Sequence, residues 1–146
     1  VQGPQGPAGP GTTELAYAIV QGDVGISATT AAGGNTIITA PAITVNGSTR
    51  ICIECFFPRV FPAATNGRLT GAVVDGSTVI ADNLFMLESP YGGAGVIRAA
   101  QLTKIFLTPA AGSHTYSIVG YQVNGNGSIG GLGAGATPGY IRITTA

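Results

Sequence analysis

The sequence predicts an all-β fold, a jelly-roll β-sandwich, on three observations. Apolar residues recur with a period of two, and the i, i+3, i+4 spacing of an amphipathic helix is missing. Gly and β-branched residues are spread along the chain, while Leu, Lys, Glu and Ala do not cluster as they would in a helix. Turn dipeptides of the Asn-Gly and Asp-Gly kind fall between the alternating runs.

The elements follow in order. Residues 14–20 form a first strand, and residues 36–45 form one or two strands broken at Pro41. Residues 50–57 alternate best: Ile51, Ile53, Cys55 and Phe57 point one way, and Arg50, Cys52, Glu54 and Phe56 the other. Residues 69–74 and 78–87 flank Asp75-Gly76-Ser77, a hairpin turn. Residues 96–107 and 114–123 read as a second pair joined by the loop 108–113, and residues 140–145 as the terminal strand. About eight strands at this spacing suggest a sandwich or barrel, and a jelly roll of eight or more strands fits the length.

The first eleven residues are different. Gly3-Pro4-Gln5, Gly6-Pro7-Ala8 and Gly9-Pro10-Gly11 are consecutive Gly-X-Y triplets with Pro at every X position. A collagen triple helix needs Gly at every third position because only hydrogen fits at its axis, and Pro presets the polyproline II φ angle. This divides the chain into a collagen-like stub, residues 1–11, and a head, residues 12–146. A triple helix joins three chains, so the expected assembly is a homotrimer. No Pro occupies a Y position, where hydroxyproline stabilises animal collagen, which points to a bacterial or viral source. The chain begins at Val1, which suggests a fragment or a cleaved product.

Composition supports association. Only 8% of the 146 residues are charged and the net charge is zero, against about 25% charged in an average domain. With a mean hydropathy of +0.38, little keeps separate copies apart, and subunit contacts are the simplest way to hide apolar surface. The basic residues Arg50, Arg59, Arg68, Arg98, Lys104 and Arg142 are scattered, so nucleic acid is not an expected partner. No apolar run reaches the roughly 20 residues of a membrane helix, and no membrane insertion is expected.

Motifs that could carry chemistry read more simply as structure. His114 is the one histidine; its neighbour Ser113 would point to the opposite face of a strand, and no nucleophile elbow is present. Cys52 and Cys55 lie within an alternating strand, about 10 Å apart at strand rise, too far for a disulfide. They read as buried free thiols. The run 125–130 matches Gly-x-Gly-x-x-Gly, but Gly131-Leu132-Gly133-Ala134-Gly135 cannot begin the helix that dinucleotide binding requires. It reads as a flexible or closely packed loop. Asn46-Gly47-Ser48 and Asn126-Gly127-Ser128 are formal glycosylation sequons that read first as turns. No catalytic residue, metal site or cofactor is predicted, and an enzyme is not expected.

Gly-Pro triplets before a β head of about 135 residues, with a strand such as 48–57 and the ending Pro138-Gly139-Tyr140-Ile141-Arg142-Ile143, resemble the collagen-tailed trimeric jelly rolls of the complement-component and tumour-necrosis-factor type. The stretch Ile105-Phe106-Leu107-Thr108-Pro109-Ala110-Ala111-Gly112-Ser113-His114-Thr115-Tyr116 is similar to a segment of collagen-like minor tail and tail-fibre proteins of bacteriophages. The resemblance implies a virion fibre or tail-tip head that trimerises a collagen-like stalk and binds the host cell surface, through a glycan or protein receptor. Collagen-like glycoproteins of spore coats share the layout, and a ligand-free trimerisation cap on a capsid or spore surface is the alternative. Loop residues that suit sugars are Phe61, Asn66 and Arg68 after the 50–57 strand, Tyr91 in a Pro-Tyr-Gly-Gly turn, and Asn124 and Asn126 in the Gly-rich loop.

Overall fold

Thirteen strands and no helix make up the described part of the chain, residues 11–63, 66–88, 99–133 and 136–146 of a computed structural model. They are β1 (Glu14–Val20), β2 (Asp23–Ile26), β3 (Asn35–Thr39), β4 (Ile43–Asn46), β5 (Ile51–Pro62), β6 (Arg68–Asp75), β7 (Thr78–Ala81), β8 (Met86–Glu88), β9 (Ala99–Leu107), β10 (Ala111–His114), β11 (Tyr116–Asn124), β12 (Gly127–Gly130) and β13 (Gly139–Thr145).

Two sheets face each other. In the first, β5 pairs with β9 along one edge. Its other edge is shared end to end by β13, against Ile51–Phe56, and β12, against Arg59–Pro62. Beyond these lie β1, on β13, and β2, on β12. The second sheet runs β3-β11-β6-β7, with β8 also on β6, and β4 pairs separately with β10. Every pairing is antiparallel. The long connections keep crossing between the sheets, which gives a jelly-roll-like β-sandwich. Between them lies the core, where Ile51, Ile53, Phe57, Val60, Leu69, Ile118, Ile129, Ile141 and Ile143 are almost fully buried. Phe57 and Phe85 meet edge to face, with centroids 5.9 Å apart.

The β5 alternation holds: Ile51, Ile53, Cys55 and Phe57 lie in the core while Glu54 and Phe56 are on the other face. Both cysteines are free. Burial pushes the Cys55 thiol up to about 12, as suits an inert core residue. The hairpin at Asp75 also holds, as β6 and β7 close through Gly76 at φ 57°, the first central position of a type II′ turn. The expected 78–87 strand is divided, however, β7 ending at Ala81 and Met86–Glu88 pairing separately with β6 as β8.

Three expectations need correction. Residues 96–107 and 114–123 do not form a hairpin: β9 joins β5 in one sheet, whereas β11 lies between β3 and β6 in the other. The intervening segment is no simple loop either, since Ala111–His114 is β10, paired with β4. The Gly-rich run is also partly sheet, for Gly127–Gly130 is β12, held between β5 and β2. Glycine is needed there for close approach. A methyl on Gly130 would come within 2.2 Å of the Gly22 carbonyl oxygen and 2.9 Å of Asp23 Cα.

His114 clips one end of the sandwich. Its Nδ1 lies 2.5 Å from Asp75 Oδ2 and its Nε2 2.9 Å from the Ala110 carbonyl oxygen. Both partners are acceptors, an arrangement that favours the ring with a proton on each nitrogen. Thr115 N also donates to Asp75 Oδ1, and the imidazole stacks on Tyr116 at 5.8 Å. The Asp75 hydrogen bond, then the Ala110 carbonyl, raise the His114 pKa.

Two outcomes are expected. Gly130→Ala should cost about 1–3 kcal/mol or more in urea unfolding, whereas Gly25→Ala, with nothing within 4 Å of the added methyl, should change stability by less than about 0.5 kcal/mol. Equal costs would mean that β12 is not wedged between its neighbours. The His114 contribution should be full below the unfolded pKa of about 6.5 and lost as pH rises through the higher folded value. The melting temperature should therefore fall with increasing pH above neutrality in the wild type and stay flatter in His114→Gln. Identical profiles would show that the ring is not charged in the fold.

Candidate functional site

The strands set a polarity. The chain enters at Thr13, whose N–H donates to Thr145 Oγ1 and whose carbonyl accepts from Thr145 N–H, both at 2.8 Å. Thr145 pairs with Ile51 and Ile51 with Leu107, so this end carries the start of β5 and the ends of β9 and β13. The opposite end is built from Pro62, Arg68, Asn124 and Gly127, where β5, β6, β11 and β12 meet.

Four of the six residues expected to bind ligand lie at that opposite end around the β11–β12 connection, and Phe61 borders them. Asn124, the last residue of β11, is paired with Arg68, the first of β6, and its Nδ2 donates to the Asn66 carbonyl at 3.2 Å. Asn66 holds a left-handed φ of 54°, a conformation that Asn tolerates better than most residues. The Asn126 carbonyl accepts from Ala63 N–H at 2.8 Å, which fixes the loop after β5 to the loop after β11. Asn66, Asn124 and Asn126 are all exposed.

Phe61 and Arg68 are not loop residues as expected. Phe61 lies within β5, opposite Ser128, because the strand continues through Pro58 to Pro62. Arg68 opens β6 and reaches Glu88 at 3.2 Å, so its charge is partnered. The sequon at Asn126 is correspondingly half strand, Gly127 and Ser128 being the start of β12. Tyr91 lies outside the described residues.

Two neighbours escaped the sequence reading. Gln122, two residues before Asn124 and separated from it by an irregularity in the pairing with β6, donates through Nε2 to Asn126 Oδ1 at 3.3 Å and to the Ser27 carbonyl at 3.2 Å. Arg59 lies 5.3 Å from the centre of the Phe61 ring and forms an ion pair with Asp23 at 2.5 Å. It reaches across Gly130, which pairs with both residues and has no side chain to block the way. No local sequence pattern reveals that route, since Asp23 and Arg59 are joined only through the sheet.

The cluster offers neutral amides with spare donors and acceptors beside one aromatic ring, a chemistry suited to hydroxyl-rich ligands. The carboxylates of the chain are otherwise engaged. Glu14 meets Arg142, Asp23 Arg59, Glu54 Lys104, Asp75 His114 and Glu88 Arg68, while Asp82 accepts from Tyr121. Among the described residues no three His, Cys, Asp or Glu side chains gather to hold a metal ion. No helix of the described residues is long and apolar enough to cross a membrane.

No protein-family model matches the chain, and no curated protein matches it significantly. Among solved structures, the C-terminal CBM6 of LamC, a marine laminarinase from Zobellia galactanivorans, is 19% identical over 92% of this chain and 99% of that one. Its TM-score is 0.37, a likeness too slight to bear on fold or ligand.

Proposed function

We propose that this chain is the head of a collagen-like fibre on a virion, a homotrimer that presents its far loops to a host cell surface. The observation that carries the reading is the opposition of the two ends. Thr13 is tied to Thr145 at one end of the sandwich, and Asn66, Arg68, Asn124 and Asn126 sit at the other. A stalk entering at Thr12 would hold the amide cluster outward, and three equivalent copies would add avidity to individually weak sites. The ligand class that fits is a surface glycan, or a protein receptor displaying the same polar groups. The chain acts as a binding module and not as an enzyme, because its carboxylates are tied to bases or to a phenol and none is left as a poised acid–base pair.

One observation favours a second reading, a structural cap for the stalk on a capsid or spore surface. Much of the hydrogen bonding at the far end is internal: Asn124 to Asn66, Gln122 to Asn126, Arg68 to Glu88. Such contacts serve a rigid cap as well as a receptor site.

The test is retention of the fluorescently labelled 146-residue chain on a panel of bacterial cells and on arrays of their surface polysaccharides. Asn124→Ala and Asn66→Gly should each weaken retention by about tenfold, the size of one lost hydrogen bond, with the melting temperature nearly unchanged. Retention on no cell or glycan would favour the cap.

A further inference from the structure

The two sheets treat their outer faces differently. On the second sheet, Ala72, Val74, Val119 and Tyr121 are buried beneath Ala28, Ala31 and Val79, so the chain covers that face itself. The outer face of the β1-β13-β5-β9 sheet is left open. Tyr17 and Ile19 project from β1 and Leu102 and Phe106 from β9, at 46, 46, 58 and 54% exposure. Tyr140 bridges them, with its ring centroid 5.9 Å from Tyr17 and 5.7 Å from Phe56. A sheet face that meets water is normally polar at these positions. Each apolar Å² left there forgoes about 25 cal/mol of burial, and exposed apolar side chains gathered on one face mark a contact surface.

The charges on the face suit a copy of itself. Glu54 accepts from Lys104 at 2.6 Å and from Tyr140 at 2.7 Å, and Glu14 accepts from Arg142 at 2.8 Å. Arg50 rests on the Phe106 ring at 5.2 Å. Both acids of the face are thus paired within the chain, and Arg50 alone adds a net charge, so like faces meet without strong repulsion.

The exit of the chain selects the same face. Thr12 lines a hollow on it together with Cys52, Glu54, Lys104, Phe106 and Arg142. The described chain therefore begins at its rim, at Gly11 and Thr12. Three chains in a triple helix converge on an axis so crowded that only Gly fits. The surface beside each entering chain must then lie against that axis too.

We propose that three copies of this chain pack against one another through the outer face of the β1-β13-β5-β9 sheet, around the axis of the stalk. The number of copies rests on the stalk reading above, whereas the choice of face rests on the exposed residues.

The experiment is light scattering of the 146-residue chain in dilute solution. The wild type should have three times the 14.5 kDa chain mass. Leu102→Arg and Phe106→Asp, at side chains exposed in the single chain, should drop to the mass of one chain with wild-type circular dichroism. Ile80→Arg and Met86→Arg, exposed elsewhere, should remain trimeric. Oxidative footprinting of the wild type supplies a readout that needs no variant: Tyr17 and Phe106 should be protected, and Val123 and Leu132 reactive. A trimer whose Tyr17 and Phe106 oxidise freely, or whose face variants stay trimeric, would overturn the choice of face and leave the trimeric head standing. A wild-type monomer would overturn both, and the cell-retention assay would then judge the binding role separately.

Discussion

The pairing of β5 with three other strands is the constraint on which the rest of the structure depends. Its twelve residues take β9 on one edge and β13 followed by β12 on the other. A single interior strand thereby orders most of one sheet, and its alternation assigns a role to each face. Ile51, Ile53, Cys55 and Phe57 anchor the core, and the residues between them supply the outer surface. A one-residue slip would exchange the two sets and put Glu54 where Ile53 or Cys55 now packs.

The length of β5 also separates the two ends of the head. At about 3.3 Å per residue, twelve residues span roughly 40 Å, the distance between the Thr145 end, where the chain enters, and the Pro62 end, where the amide loops gather. The short collinear strands β12 and β13 match this length only by dividing it. The division requires the 131–138 connection and the closely packed glycines that let β12 approach β2 and β5 together.

What the sequence reveals and what it hides follow from the range of the interactions. Residues 14–20 and the alternation of 50–57 were legible because a strand with one face in the core writes its period into its own residues. The Asp75-Gly76 turn was legible because φ above zero favours glycine locally. The strands β2, β10 and β12 were not, because four residues carry too little periodicity and β12 is half glycine. The misassigned partnership of β9 and β11 has a related cause. Adjacent strands in sequence usually pair, but here β10 intervenes and the chain changes sheets. At the candidate site the polar residue types were visible in the sequence, while the Arg59–Asp23 link across Gly130 exists only once three strands are side by side.

The low charge of the chain acquires a physical reason from the same geometry. An isolated sandwich of this size would ordinarily turn charged side chains outward on both sheets. Here one outer face is covered by the 27–34 segment, and on the other the acids are neutralised by neighbours on adjacent strands. The few remaining charges concentrate in pairs that clamp strands together, as Asp75 and His114 do near the chain entrance and Glu88 and Arg68 at the opposite end. A head built this way gains little from repulsion between copies and much from covering Tyr17, Leu102 and Phe106. Association and orientation then become one property: the contact that hides the apolar face would also align three stalk entrances at one end and three amide clusters at the other.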